Sequence, residues 1–192
     1  MIKAIVFDYM EVIAPSPIKS WIYKNLPNPT ERLETLGSYG NKWDRGGVDL
    51  NNFYEILSKV TDVPAKSIWD TFYKNHPADK EIINIIKKLK KHYKIILFSN
   101  NCGDNLRLLM KKQKIYSLFD EIIISSDYQM TKPDPKVYVL MLLIAKIDVS
   151  EAIFIDDRQI NVDAGNKLGI KSLLFTNPQK LITDLKSQNI IL

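Results

Sequence analysis

From Asp79 onward the chain alternates between apolar runs of four or five residues and longer amphipathic stretches, and this alternation constrains the fold more than any other feature. The pattern predicts helices to about Lys90, at Asp104 to Lys112, at Pro135 to Ala145 and at Ile160 to Leu168. It predicts strands at Lys94 to Phe98, Glu121 to Ile124, Ala152 to Ile155 and Ser172 to Phe175. Short strands separated by helices require right-handed crossovers, and therefore a parallel sheet covered on both faces. The apolar run Ile2 to Phe7, which ends on Asp8, adds a first strand. It delivers a carboxylate to the crevice at the carboxyl ends of the strands, where open parallel sheets bind ligands, although an Asp there also simply caps turns.

Between that strand and Asp79 the pattern is helical and contains no good strand. Asp49 reads as the N-cap of a helix over Leu50 to Val60, and Pro64 as the first residue of a helix over Ala65 to Lys74. Pro15, Pro17, Pro27 and Pro29 break up residues 14 to 30, which read as a linker into a separate unit. The expectation is a doubly wound, Rossmann-like α/β core (residues 1–14 and 79–192) with a small α-helical unit, residues 15–78, inserted after the first strand. A chain of 192 residues with 45% hydrophobic content suits one core plus such an insertion.

A net charge of +5 raises the question of a polyanionic partner. The lysines gather in Lys87-Lys88-Leu89-Lys90-Lys91 and Lys111-Lys112-Gln113-Lys114, at the ends of helical patterns where cations suit the helix dipole. No aromatics interleave them, so they read as solvated helix faces and no nucleic-acid partner is expected. No apolar run approaches the roughly 20 residues that span a bilayer, and Met1-Ile2-Lys3 leads straight into the strand, so no membrane partner is expected either. Cys102 is the single cysteine and has no internal disulfide partner. A cytoplasmic monomer or homodimer is the expectation.

Three further polar clusters follow predicted strands or lie in the loops beside them. Ser99-Asn100-Asn101 offers a hydroxyl and backbone N–H groups to an anionic oxygen, or caps the next helix. Thr131-Lys132-Pro133-Asp134-Pro135 places a lysine in a rigid proline turn. Asp156-Asp157 pairs two carboxylates that repel each other unless a cation or Lys132 stands close. Hard oxygen ligands at this density suit Mg²⁺, which takes one or two carboxylates and keeps waters for substrate phosphate.

Asp8, Ser99-Asn100, Lys132-Pro133 and Asp156-Asp157, in this order and each beside a strand end, resemble the four motifs of the haloacid dehalogenase superfamily of phosphohydrolases. The resemblance covers the whole chain, including a helical cap of the C1 type. It implies that Asp8 attacks phosphorus to form an aspartyl-phosphate, that Ser99 and the Asn100 backbone hold phosphate oxygens, and that Lys132 neutralises developing charge. It implies further that Asp157, with Asp156 beside or behind it, binds Mg²⁺ together with Asp8 and the Met10 carbonyl. The wording around the motifs is similar to the sugar-1-phosphate phosphatases and the N-terminal domain of soluble epoxide hydrolases. A small phosphorylated metabolite is the implied substrate.

One departure concerns proton transfer. Most phosphatases of this superfamily carry a second Asp two residues after the nucleophile, and here that position is Met10, whose thioether transfers no proton. Leaving-group quality is therefore expected to dominate the rate, with Glu11 pointing away on a strand-like backbone. The chain is similar to the 2-haloacid dehalogenases in lacking that Asp, but those need no metal and carry a less acidic fourth motif. They also have Thr where this chain has Val12. A weakly active relative that binds a ligand or protein is the other alternative. In the cap, Trp43 and Arg45, beside Gly46-Gly47, are expected to approach the substrate, with Trp21 and Tyr23 as further candidates; aromatics in a small helical unit also commonly form its core.

Overall fold

In the computed structural model, which describes residues 1–192 apart from the side chain of Asn41, five parallel strands form a single sheet. They are β1 (Ala4–Phe7), β2 (Lys94–Ser99), β3 (Glu121–Ile124), β4 (Ala152–Asp156) and β5 (Lys171–Leu174), in the spatial order β3-β2-β1-β4-β5. β1 is central, with Phe7 opposite Leu97 on one side and Ile155 on the other. The chain steps outward from β1 to β3 and then returns to the other flank for β4 and β5. The winding direction therefore reverses at β1, and a crevice opens there between the loops.

Alternation along β1 sends Ile5 and Phe7 to one face and Ala4 and Val6 to the other, and all four are buried. The first face is covered by α4 (Lys80–Leu89), α5 (Gly103–Lys112) and α9 (Pro178–Ser187), and the second by α7 (Pro135–Ala145) and α8 (Gln159–Lys167). This is the doubly wound α/β core read from the alternation. A four-residue helix, α6 (Ser125–Tyr128), follows β3 directly.

The insertion between β1 and α4 consists of α1 (Pro17–Asn25), α2 (Pro29–Asp44) and α3 (Leu50–Thr61), and it holds no named strand among the described residues. Two expectations fail here. Residues 14 to 30 are not a linker, because Pro17 and Pro29 sit in the first turns of α1 and α2. There their missing N–H has no helical partner to lose and their fixed φ suits the helix. Residues 65–74 are not one helix but a 3-10 turn, Ala65–Ser67, followed by a π turn, Trp69–Tyr73, closed by Lys74 N–H to Trp69 O at 2.9 Å. The wider turn lets the adjacent aromatics Phe72 and Tyr73 both be buried.

Asp49 caps α3 as read, its carboxylate accepting from Asn52 N–H at 2.9 Å. Phe53, Leu57, Ile68 and Tyr73 belong to the same hydrophobic cluster as Phe7, Tyr9 and Leu106 of the core. Burying each such side chain contributes roughly 1.5–3 kcal/mol, so the insertion is packed onto the sheet domain rather than held apart from it. Tyr54 Oη–H adds a hydrogen bond to Asn105 Oδ1 at 3.2 Å.

Candidate active site

Asp8 extends the ladder of β1 by one bond, its N–H donating to Ile155 O at 2.9 Å. The chain then turns at once. Ile13 and Ala14 N–H both donate to Tyr9 O, at 2.8 and 3.1 Å, and Glu11 takes a left-handed φ of 60°. The expected strand-like backbone at Glu11 is therefore not what the chain adopts. Its carboxylate accepts from Ser16 N–H at 3.3 Å and stands 4.0 Å from Lys19 Nζ, on the insertion side.

Lys132 arrives from the loop between α6 and α7 and is almost fully buried. Its Nζ donates to Asp156 Oδ2 at 2.6 Å and to Phe98 O at 2.9 Å, and lies 3.1 Å from Asp8 Oδ1. The Phe98 and Phe154 rings flank it at 5.1 and 5.2 Å from their centroids. Burial disfavours the ammonium, but the Asp8 and Asp156 carboxylates outweigh it and hold the lysine pKa above its ordinary value. The contact with Asp8 has ion-pair distance without hydrogen-bond alignment, so Asp8 Oδ1 is buried with no hydrogen-bond partner.

The Asn100 amide ties the lysine loop to the end of β2. Its Nδ2–H donates to Lys132 O and its Oδ1 accepts from Lys132 N–H, both at 2.9 Å. The Asn100 side chain is thus committed to positioning Lys132, and its backbone remains for an anion. Ser99 Oγ is buried and without a partner, although a buried hydroxyl is normally paired.

Asp8, Asp156 and Asp157 each offer a carboxylate oxygen within 4.8 Å of the others. They are not equivalent. Both oxygens of Asp156 are occupied, Oδ2 by Lys132 and Oδ1 by Arg158 N–H and Asn161 Nδ2–H, each at 2.9 Å. Asp8 and Asp157 keep free acceptor capacity, and burial pushes both carboxyls above the usual carboxylate range, with the Asp156 charge adding to it. Three crowded carboxylates, one orphaned oxygen and a single close ammonium fit a hard divalent cation such as Mg²⁺.

Above these groups lies a cavity of about 500 Å³, lined from below by Met10, Asn101 and Arg158 and from the insertion by Trp43, Asp44 and residues of α1 and α3. Trp43 is at the cavity as expected, although it is also buried in the same core cluster as Phe53. Arg45 is not. α2 runs through Asp44, which turns residue 45 away into an exposed position at the helix end. Trp21 packs edge-on against Phe72 and Tyr23 is exposed, neither of them lining the cavity. The residues missed were Asp44, Arg158 and Asn161, and the signal for Asp44 was the helical spacing that puts it on one face with Leu33, Gly37 and Gly40. The larger cavity meets the site through Met10, Asn101 and Arg158, each next to one of its residues or one removed, whereas a separate cavity of about 330 Å³ between α2 and α3 has no such neighbour.

The haloacid dehalogenase-like hydrolase family model matches residues 51–175, and the chain belongs to that family. It is 25% identical over 191 residues to the D-ribitol-5-phosphate phosphatase of Bacteroides thetaiotaomicron, covering 90% of this chain and 91% of that one. It is also 25% identical over 184 residues to the drimenol cyclase drtB of Aspergillus calidoustus, covering 91% of this chain but only 34% of the cyclase. The chain thus spans about a third of that relative. Among solved structures, a haloacid dehalogenase-family enzyme of Bacteroides thetaiotaomicron in complex with magnesium and inorganic phosphate superimposes with a TM-score of 0.75 at 21% identity, covering 92% of this chain and 95% of the other.

Proposed function

We propose that the protein is a Mg²⁺-dependent phosphohydrolase that acts on a small phosphorylated metabolite through an aspartyl-phosphate. The observation that carries this reading is Lys132 held between Asp8 and Asp156 while Asp8 Oδ1 and Ser99 Oγ, both buried, stand without hydrogen-bond partners. A bare hydroxyl is what a phosphoryl oxygen would accept from, and a bare carboxylate oxygen is free for a cation or for attack on phosphorus. Asp8 attacks phosphorus, the ester oxygen leaves with the bonding electrons, and water then cleaves the acyl phosphate to restore the carboxylate. Lys132 neutralises charge on the transferring group and orients Asp8, and Ser99 and the Asn100 N–H hold its oxygens.

Asp8, Asp157 and the Met10 carbonyl would hold Mg²⁺, which supplies charge neutralisation at the phosphate oxygens. Asp156, whose oxygens are occupied, positions Lys132 instead. The helical insertion acts as the cap that excludes water from the reaction. The test is phosphate release from an aryl phosphate with Mg²⁺. Asp8→Asn should lower it about 10³-fold or more without changing the fold. Near wild-type release by the variant overturns the covalent route, and metal-independent halide release from 2-haloacids would put a dehalogenase in its place.

A further inference from the structure

α2 turns one face to the cavity above the carboxylates: Leu33, Leu36, Gly37, Gly40, Trp43 and Asp44 recur at helical spacing and all line it. The apolar lining continues through Ile18 and Phe53, and the polar lining off α2 is Ser16, Lys19, Asn101 and Arg158, the last of which with Met10 joins the cavity to the loops after β4 and β1. The stripe is only partly packed: Trp43 is buried in the core and Leu36 packs against it, whereas the two glycines face open space. A Cβ built at Gly37 or Gly40 meets no other atom within 4 Å. Gly37 is exposed and Gly40 half-buried, so the room beside them opens to solvent as well as to the cavity, and glycine, the poorest helix former after proline, keeps it clear of side chain. Along α2 the face offers Asp44 as its single ionisable group, whereas a sugar would bring several hydroxyls needing partners.

We propose, building on the phosphohydrolase reading, that the organic group of the ester is bulky and apolar and lies along this face of α2 with its phosphate at Asp8. The test is kcat/KM with Mg²⁺ for n-alkyl phosphates from butyl to dodecyl, with glucose 6-phosphate and p-nitrophenyl phosphate alongside. The value should rise about three- to fourfold per methylene until the cavity is full, and Gly40→Leu should remove most of that rise. A flat or falling series, or preference for the sugar phosphate, overturns the proposal while p-nitrophenyl phosphate turnover keeps the reaction class intact. No turnover of any phosphate sinks both. Should Gly40→Leu fail to fold, the wild-type series decides alone.

A different observation bears on the proton that Met10 cannot supply. Gly46, at a φ of 72°, brings the end of α2 against α6, where a Cβ would stand 2.6 Å from Ser126 O. This close approach holds the end of α2, whose last residue, Asp44, lines the cavity together with Met10 and Arg158. Its carboxyl has no hydrogen bond among the described residues, and burial pushes it up to about 6 against the opposing charges of Lys132 and Arg158. In-line displacement puts the departing oxygen opposite Asp8, which rises from the sheet, and hence toward the insertion.

The geometry points to Asp44 as the general acid. Asp8 bonds to phosphorus, the ester P–O bond breaks, and its oxygen takes the Asp44 proton. The Asp44 carboxylate then accepts a proton from the water that cleaves the acyl phosphate. In a leaving-group series, Asp44→Asn should slow alkyl phosphates about 10²–10⁴-fold and p-nitrophenyl phosphate less than tenfold. Adding Met10→Asp should recover the alkyl substrates selectively, which a structural role for Asp44 would not allow. An equal loss across the series, or none, overturns the assignment.

Discussion

Lys132 holds the carboxylates on the core side, Gly40 lines the cavity on the insertion side, and their surroundings differ sharply. The lysine is buried against two carboxylates, a carbonyl and two aromatic rings. The glycine faces a gap. On the core side the lysine is locked in place: Asn100 holds the Lys132 backbone, Asp156 holds its ammonium, and Asn161 holds Asp156, while Asp8 Oδ1 and Ser99 Oγ stay unpaired beside it. On the insertion side the α2 face is apolar, half-empty and carries one unpaired carboxyl. A transferring phosphoryl group is small and invariant, so its partners gain from being fixed in advance. On the proposed reading the organic group is met instead by the α2 face, which can change without disturbing those partners.

The strongest way to break this contrast is Lys132→Ala. Removing the ammonium leaves Asp8 and Asp156 buried with no compensating charge, which should cost about 3–5 kcal/mol of stability as well as activity. For a chain of this size each kcal/mol moves the melting midpoint by about 2–4 °C. If melting shifts by no more than a degree, the core side is not the rigid half of the site.

The two halves were also unequally legible in the sequence. Asp8, Ser99, Lys132 and Asp156-Asp157 could be read because each stands at the end of a strand or in the loop beside one, and the topology alone gathers such positions. Arg45 was misjudged and Asp44 passed over for a different reason. Which residue faces the cavity depends on where α2 stops, and that end is a glycine cap, with the left-handed Gly46 N–H donating to Trp43 O and the Gly47 N–H to Lys42 O. The Gly46-Gly47 pair marks the stop in the sequence, but the face the last turn presents depends on packing. The prolines misled in the same way, since Pro17 and Pro29 suit a first helical turn as well as a loop. The π turn at Trp69–Tyr73 follows from burying two adjacent aromatics, which periodicity does not register.

The second test probes the unpaired carboxyl through stability. Asp44 titrates near 3.8 when unfolded and is pushed up to about 6 in the folded protein. A carboxyl raised on folding favours the folded state below the unfolded value, and that contribution is lost as pH rises through the folded one. Asp44→Asn, which carries no charge, should therefore match wild type near pH 3.5 and exceed it by about 1–2 kcal/mol at pH 8. Equal stability across that range in thermal melts would mean that Asp44 is either solvated or paired, and that the insertion side is less spare than it looks.

The smallest expected effect is on Gly40, and it has the opposite sign to Lys132. Alanine there adds one methyl to a helix face with no atom within 4 Å of it. It also removes backbone freedom from the unfolded chain. Both effects favour the variant, so Gly40→Ala should raise stability by about 0.5–1 kcal/mol, or a few degrees in the melting midpoint. A destabilising result would show that the face of α2 is filled by its neighbours after all, and the room assigned to the ligand would disappear. A stabilising result combined with a weaker gain for long alkyl phosphates would show the opposite: glycine is kept at this position at the expense of the helix, because the space it leaves belongs to the substrate.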